Sequence, residues 1–307
     1  MEHHDLLILG AGPAGLTAAV YARRSGLDVV VLEKGAVGGQ ITTTNEVENW
    51  PGIKKISGFD LAMSLQEHAE HFGAEIRLTD IQGLDFSGDK KIVRTDNGEI
   101  SADALVIATG ARHSHLGVPG EAELTGRGVS YCAVCDGPFF RNEEIMVVGG
   151  GDTAVEEAEY LTRFASKVYL VHRRNELRAA DMLAKRALAN PRIEPVWDTV
   201  VTAINGKTGV DSVSVRNVKT NAETQIAVTG VFVFVGILPN SEMFRDSGLT
   251  LDANGWLLAD QATLQANIPG VFVAGDVRDT SLRQMVTAAA DGARAAMAAY
   301  AYLSREA

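Results

Sequence analysis

The chain begins with a short apolar run, Asp5 to Leu9, which breaks at Gly10 and leads into a helical stretch from Pro13 to about Ser25. A second apolar run follows from Asp28 to Leu32. Apolar runs without polar alternation are typical of strands that are buried on both faces of a sheet. Strand, helix and strand in this order predict a βαβ unit with parallel strands.

The same pattern recurs near the middle of the chain. Ile145 to Val148 is a short apolar run, and the sequence after Gly151 predicts a helix through about Phe164. A further strand is predicted over Lys167 to Val171. The helix carries apolar residues at three-residue spacing, namely Val155, Ala158 and Leu161. We therefore expect a second βαβ unit.

Each unit is predicted to continue with a hairpin and then another buried strand. In the first unit the turn signal Asp96-Asn97-Gly98 separates the two hairpin strands. The predicted hairpins are Lys91–Thr95 with Glu99–Ala102 and Val213–Val218 with Thr224–Val228, and the strands that follow are Ala104–Gly110 and Val231–Gly236. The repetition indicates duplication of one architecture.

The C-terminal region returns to the needs of the first unit. The strand predicted at Gly270 to Val273 opens into Gly275-Asp276, where a carboxylate can bond the polyol of a flavin. The alternative for Asp276 is an N-cap role at the following helix, but the first fingerprint favours the flavin interpretation. With the flavin interpretation, the first domain is discontinuous. We predict an FAD-binding domain over 1–113 and 241–307 and, inserted into it, an NADPH-binding domain over 114–240. Both are predicted to be Rossmann-like α/β domains of the three-layer ββα type.

The first glycine turn has the spacing of a dinucleotide fingerprint. Gly10 permits the tight turn, Gly12 lets the backbone approach a pyrophosphate, and Gly15 lets the helix pack on the strand. The helix N-terminus then faces the phosphates. Glu33 ends the second strand, where it can accept hydrogen bonds from ribose hydroxyls. These residues together predict an adenine dinucleotide site.

The second fingerprint, Gly149 and Gly151 followed by Ala154, is followed by a different strand end. Where the first unit has Glu33, this unit has His172, Arg173 and Arg174, with Arg178 one helical turn further on. Guanidinium groups bind a 2′-phosphate through paired charge-assisted hydrogen bonds, whereas a carboxylate repels it. We therefore expect NADP rather than NAD at the second site. The alternative is a solvated basic surface.

The only cysteines of the 307-residue chain are Cys132 and Cys135, and Asp136 follows them. This spacing allows a reversible disulfide across a short helical turn, and the adjacent carboxylate can carry the proton that thiol exchange moves. The alternative for the cysteines is half of a zinc site, but structural zinc takes four ligands and there is no second pair, so we predict no metal. For Asp136 the alternative is a cap or turn role.

Composition narrows the setting of this chemistry. The net charge of −11, from 28 basic and 39 acidic residues, disfavours nucleic acid. The longest apolar runs fall short of the roughly 20 residues of a membrane span. The N-terminal segment lacks the basic and small-residue signals of a secretory leader. We expect a cytoplasmic protein that binds no membrane.

Taken together, the chain resembles the low-molecular-weight, bacterial-type thioredoxin reductases over essentially its whole length. The resemblance rests on the two fingerprints, the redox pair and several shorter motifs: Gly38-Gly39-Gln40, Asn49-Trp50-Pro51-Gly52, Ala108-Thr109-Gly110, Cys132 to Gly137, Gly149 to Asp152, His172 to Arg174, and Gly275-Asp276-Val277 before Arg283-Gln284.

The resemblance implies roles for these residues. It adds Gly39, Gln40, Asn49, Thr109, Gly110, Arg283 and Gln284 to the FAD site, and Asp152 and Thr153 to the NADPH site. It implies that electrons pass from NADPH to FAD, to the Cys132–Cys135 disulfide and then to thioredoxin, with Cys135 nearest the flavin and Cys132 as the attacking thiol. It also implies a homodimer, a rotating inserted domain, and thioredoxin contacts at Arg127 and at Phe139 and Phe140.

Two other functions are compatible with the same motifs. The first is an FAD-dependent dithiol oxidase, which typically lacks arginines such as Arg173, Arg174 and Arg178; the same residues disfavour a ferredoxin-dependent reductase. The second is a flavoprotein that senses redox state through its dithiol without turnover.

Overall fold

The chain divides into two units, Met1–Arg112 with Leu238–Ala307, and His113–Ile237. The structure is a computed structural model that describes residues 1–44 and 47–306. Two short strands, Ala111–His113 (β7) and Ile237–Pro239 (β16), pair with each other where the chain crosses between the units. Strands and helices are numbered in chain order.

The first unit is built on one sheet in the order β3-β2-β1-β6-β5-β4, with β17 also paired to β6. The pairs β1 with β2, β1 with β6, β2 with β3, and β17 with β6 are parallel. Its strands are β1 (Glu2–Leu9), β2 (Val29–Glu33), β3 (Glu75–Leu78), β4 (Ile81–Asp85), β5 (Lys91–Thr95), β6 (Gly98–Ile107) and β17 (Val271–Val273), and its helices are α1 (Pro13–Arg24), α2 (Gly58–His71) and α6 (Met285–Glu306).

Both faces of β1 are buried, which explains its continuous apolar sequence. Leu6 and Ile8 pack into the cluster that includes residues of α1 and α6, whereas Leu7 and Leu9 pack into a second cluster with Phe244. Each of these four side chains is fully buried. Burial of one such side chain stabilises the fold by about 1.5–3 kcal/mol. The burial of these side chains therefore holds β1 in place up to the glycine turn that follows it.

The second unit repeats the parallel sheet, in the order β11-β10-β9-β15-β8, and adds a separate antiparallel sheet β12-β13-β14. The strands are β8 (Val129–Ser130), β9 (Glu144–Gly149), β10 (Lys167–Val171), β11 (Ile193–Val196), β12 (Thr199–Asn205), β13 (Ser212–Asn217), β14 (Glu223–Ala227) and β15 (Gly230–Phe234), and the helices are α3 (Ala133–Asp136), α4 (Asp152–Leu161) and α5 (Asp181–Leu188). The predicted α/β class is confirmed.

Two predicted elements differ from the observed ones. The hairpin strand and the buried strand of the first unit are one strand, β6, because its first half pairs with β5 and its second half with β17. The helix predicted through Phe164 ends at Leu161, since Thr162 turns its hydroxyl back to Glu159 O at 2.7 Å and starts a tight turn.

Candidate functional sites

The first fingerprint turn uses two of its glycines for its own packing. Gly10 has φ +102°, and a Cβ atom there would lie 2.4 Å from the carbonyl oxygen of Ala108. A Cβ atom on Gly15 would lie 1.8 Å from Gly10 O, so α1 could not approach the strand. The fold itself therefore requires glycine at both positions.

Gly12 is different, because the protein makes no demand for glycine there. Its φ of −79° suits any residue, and the nearest protein atom to an added Cβ is Gly38 O at 4.0 Å. Gly12 is also the N-cap of α1 and provides no side-chain cap, and Pro13 has no N–H, so the amide donors left for another group begin at Ala14. Open space before uncapped amides fits a dinucleotide pyrophosphate.

Glu33 lies at the end of β2, beside this turn. Its two carboxylate oxygens accept hydrogen bonds from Ala11 N and Gly35 N, each at 2.7 Å. These bonds hold the carboxylate in one orientation, and each oxygen has a further lone pair for a ribose hydroxyl. The position predicted from the sequence is thus one that can bind ribose.

Several other residues predicted to bind the flavin contact one another or a neighbouring segment of the same unit. Gly39 begins a 3₁₀ turn over Gly39–Thr43 that includes Gln40, and its added Cβ would lie 3.6 Å from Gly12 Cα. Asn49 Nδ2 donates to Gln284 Oε1 at 3.1 Å. Next to Gly110, the hydroxyl of Thr109 donates to Asn240 O at 2.8 Å, which occupies its proton. Gly39 therefore lies beside the fingerprint, whereas the Thr109 side chain is used to hold the neighbouring chain.

The C-terminal turn carries Asp276, the residue that we predicted to bind the polyol of a flavin. Asp276 lies in a 3₁₀ turn, Gly275–Val277, and α6 starts only at Met285, so Asp276 does not cap that helix. Burial raises the pKa of Asp276 to about 6. Arg283 stacks its guanidinium 3.8 Å from the centre of the Trp256 ring, and its Nε is buried with no hydrogen-bond partner in the described chain. An unpartnered donor near a carboxyl is a feature of a site made to hold a polar ligand.

The second fingerprint has the same design in the other unit. Gly149 has φ +155°, and an added Cβ would lie 2.5 Å from Phe234 O. Gly151 has no atom of the described residues within 4 Å of an added Cβ, and it caps α4 without a side-chain bond. Here too the first glycine serves the fold, and the second leaves room for a ligand.

A cavity of about 350 Å³ opens beside this turn. Its lining includes Gly149, His172, Arg173 and Arg178, which the sequence predicted to bind the nucleotide, together with His115, which it did not. His172 is buried, and its Nε2 has no hydrogen-bond partner among the described residues. Burial lowers the pKa of His172, and the positive charge of Arg178 lowers it further. A neutral imidazole and two guanidinium groups suit a phosphate-bearing ligand.

Four predicted nucleotide residues are not part of this lining: Gly151, Asp152, Thr153 and Arg174. Asp152 Oδ1 accepts a hydrogen bond from Ala180 N at 2.7 Å, which ties the start of α4 to the loop after Arg178. Asp152 therefore holds the loop after Arg178, which lines the cavity, against the start of α4. The sequence does not indicate His115 as a nucleotide residue, because only the fold brings the loop after β7 to the cavity.

Cys132 and Cys135 form a disulfide with their Cα atoms 5.3 Å apart. Cys132 is the N-cap of α3, where its sulfur accepts a hydrogen bond from Cys135 N at 3.2 Å. Val134, between the cysteines, is 41% exposed, and Phe139 is 47% exposed. The disulfide therefore lies beside an apolar surface that a partner can reach. Phe140 instead packs edge-on against Phe232, with ring centres 5.2 Å apart.

Asp136 is the last residue of α3, and burial raises its pKa, an effect that the hydroxyl of Ser130 partly offsets. Its side chain makes no cap bond to the following 3₁₀ turn, so the alternative cap role is absent. Ser130 is buried and also accepts from Cys132 N at 3.1 Å. One signal for Ser130 is present in the sequence and was missed, namely a hydroxyl two residues before the first cysteine.

Arg127 and two histidines of α2 contact neighbouring groups of the same chain. Arg127 donates through Nη2 to the carbonyl of Glu123. His68 and His71 lie on α2, each in ring contact with Phe72. Within residues 1–44 and 47–306, no group of three or more His, Cys, Asp or Glu side chains could hold a metal ion.

One βαβ unit has a glycine turn and a terminal carboxylate, and the other has an arginine-lined cavity and a disulfide between cysteines three residues apart. Together they define a nucleotide-dependent disulfide oxidoreductase. The chain belongs to the pyridine nucleotide-disulphide oxidoreductase family, whose pattern matches residues 4–292. The recognition of the family from sequence is confirmed. None of the helices in the described chain is long and apolar enough to cross a bilayer.

Similar proteins share nearly the whole chain. A thioredoxin reductase of Bacillus subtilis is 45% identical over 98% of this chain and 95% of its own length. A thioredoxin reductase of Listeria innocua is 47% identical over 98% of this chain and 94% of its own length. The crystal structure of thioredoxin reductase from Streptococcus pyogenes superposes with a TM-score of 0.95 at 48% identity, covering 99% of both chains.

Proposed function

We propose that this protein is an NADPH-dependent thioredoxin-disulfide reductase. The observation that carries the proposal is the Cys132–Cys135 disulfide beside exposed Val134 and Phe139, in the same unit as the arginine-lined cavity. Thioredoxin reductases of this family use FAD and NADPH, and the names of the similar proteins support the same activity.

Bound FAD would accept a hydride from NADPH and supply two electrons to the disulfide. FAD would be held by the turn at Gly12, by Glu33 and by Asp276. Arg173 and Arg178 would hold the 2′-phosphate of NADPH, because two guanidinium groups at one cavity favour a dianionic group over a bare ribose. The same residues support NADPH over NADH.

The chain's own residues perform the exchange. Reduction breaks the S–S bond and leaves Cys132 and Cys135 as a dithiol. Cys132 as thiolate then attacks one sulfur of the oxidised partner, which forms a mixed disulfide and releases a partner thiol. Cys135 attacks Cys132 Sγ, restores the internal disulfide and releases the second partner thiol. Asp136 would hold and deliver the protons that these steps require.

The partner would dock on the apolar side chains near the disulfide. Phe139 is the stronger candidate, because it is exposed, whereas Phe140 packs in the core.

We also propose that the protein acts as a homodimer in the cytoplasm. Tyr21 on α1 and Met297 and Tyr300 on α6 are exposed large side chains on two helices that pack together, and a second copy would cover them. Sedimentation velocity would test for the dimer.

The test is stopped-flow absorbance of the flavin-loaded protein mixed with NADPH or with NADH, followed by steady-state turnover with oxidised thioredoxin. We expect NADPH to bleach the flavin absorbance, NADH to do so far more weakly, and thioredoxin to support many turnovers. If small dithiols bleach the flavin and NADPH does not, the protein is a dithiol oxidase instead. If NADPH gives one reduction and no multiple turnover, the protein is a redox sensor.

A further inference from the structure

A buried ion pair lies behind the C-terminal turn of the first unit. Arg278 and Asp291 are each only 6% exposed. Arg278 Nε donates to Asp291 Oδ2 at 2.7 Å and Arg278 Nη2 donates to Asp291 Oδ1 at 3.2 Å, so the contact is bidentate. Two charges this deep in a protein are retained at a desolvation cost, and such a pair invites a functional explanation.

The same carboxylate holds the turn that carries Asp276. Gly275 N donates to Asp291 Oδ2 at 3.2 Å, and this bond is itself buried. Arg278, just past the turn, donates a further bond to Gln261 Oε1 at 3.0 Å. Asp291 therefore binds both ends of the segment Gly275–Arg278, so the position of Asp276 depends on it.

The turn has little freedom to take another position. Gly275 has φ +73°, and an added Cβ would lie 2.9 Å from Ala14 Cβ. Gly292, next to Asp291, packs so closely on α1 that an added Cβ would lie 2.0 Å from Ala14 O. The fingerprint helix, α6 and the turn thus meet at the level of Asp291.

We propose that Asp291 is a positioning residue for the flavin site: it accepts the Gly275 amide and thereby fixes the turn on which Asp276 meets the cofactor, while Arg278 neutralises its buried charge. The inference rests on the proposed function, since it requires FAD at this turn. Asp291 touches no cofactor in this role and acts through the backbone of Gly275. Its charge also faces Asp276, where it opposes the influence of Arg283.

The test compares two double variants that remove the ion pair in the same way. Arg278→Leu with Asp291→Asn keeps an amide oxygen that can accept from Gly275 N. Arg278→Leu with Asp291→Leu has a side chain of the same four-heavy-atom branched shape at position 291 and no acceptor. Neither variant leaves an isolated buried charge, and apolar replacement of a buried pair is often neutral for stability. The two variants therefore separate the acceptor from the ion pair.

The readout is the FAD dissociation constant, measured by quenching of flavin fluorescence on titration of the flavin-free protein, with the melting temperature of that protein beside it. We expect the Asn variant to bind FAD within about 3-fold of the wild type, and the Leu variant about 5- to 100-fold more weakly, since a buried amide loses its acceptor. Both flavin-free proteins should melt at similar temperatures. Glu99→Gln, which breaks an exposed ion pair of the same unit, should leave FAD binding unchanged.

Equal FAD affinity of the two double variants would overturn the proposal, because the acceptor would then be irrelevant. A Leu variant that melts much lower and binds FAD normally once refolded would also overturn it. If the wild-type protein itself fails to bind FAD, the proposed function fails first, and this result is distinct from either outcome.

Discussion

The two nucleotide-binding units share one backbone design and differ in what stands at the end of the second strand. In both, the first glycine of the turn is fixed by close backbone packing, and the glycine before the helix faces open space. In the first unit, Glu33 ends the strand and is held by Ala11 N and Gly35 N. In the second, His172 is followed by exposed Arg173 and Arg174.

This difference shows which residues serve the fold and which serve the ligand. Gly10, Gly15 and Gly149 are required by the protein itself, whatever is bound. Glu33 and Arg173 lie at equivalent strand ends and have opposite charge, so they give one architecture two different ligand preferences. The second unit also adds the disulfide, which the first lacks. The predictions below test this division.

The largest effect is expected from the disulfide, because it separates the second unit's chemistry from nucleotide binding. Cys132→Ser should lower thioredoxin turnover to background, since exchange requires a thiolate. NADPH should still bleach the flavin, because both nucleotide sites are intact. Stopped-flow absorbance and steady-state turnover measure the two steps.

Val218→Ser is the matched control, since it places a serine at an exposed position of the same unit that has no part in the proposed docking, and it keeps both sulfurs. It should retain most of the turnover. If Cys132→Ser still turns over thioredoxin, the disulfide is not the route of the electrons.

Asp136 is expected to give the next largest effect. Asp136→Asn should lower turnover by about 10²- to 10⁴-fold, the usual contribution of a general acid or base, and should remove the corresponding limb of the pH profile of kcat. Asp181→Asn, an exposed carboxylate of the same unit, should change neither quantity. An unaltered pH profile in Asp136→Asn would contradict the role of this carboxyl.

Asp136 also predicts a sign for stability against pH. Burial raises its pKa in the folded protein. The folded protein therefore keeps the Asp136 proton at pH values above the ordinary aspartate pKa of about 4. The free energy of unfolding that this proton contributes is fully present below about pH 4 and is lost as the pH rises through the raised pKa. In urea unfolding, Asp136→Asn should flatten the stability curve over this interval.

The glycine turn tests the division inside one motif. Gly15→Ala places a Cβ 1.8 Å from Gly10 O and should destabilise the flavin-free protein by about 3 kcal/mol or more. Gly12→Ala should leave its stability within about 1 kcal/mol and weaken FAD binding, since only a ligand contests that space. Urea unfolding and FAD titration measure the two effects. Equal loss of stability in both variants would refute the assignment of Gly12 to the ligand.

Much of this division could be predicted from the sequence, because it is local. Glycine spacing, buried apolar runs and the acid or base at a strand end are written in consecutive residues, so the class, both fingerprints and the redox pair were identified. The union of two predicted strands into β6 was missed, because no residue between them signals whether the partner strand changes. Partners far apart in sequence, such as Gly275 with Asp291 or His115 with the cavity, depend on packing that no local pattern records.

The smallest effect sharpens the contrast between the strand ends. Arg173→Ala should raise the KM for NADPH by roughly 10- to 100-fold, the worth of a charge-assisted hydrogen bond, and leave the KM for NADH nearly unchanged. Arg174→Ala is the matched control: it removes the same charge one residue away, outside the cavity lining, and should have a much smaller effect. Initial rates of flavin-loaded protein with each nucleotide measure this. Equal effects of the two variants would mean that the arginines act as a diffuse basic surface, and that the opposite charges at the two strand ends do not set nucleotide preference.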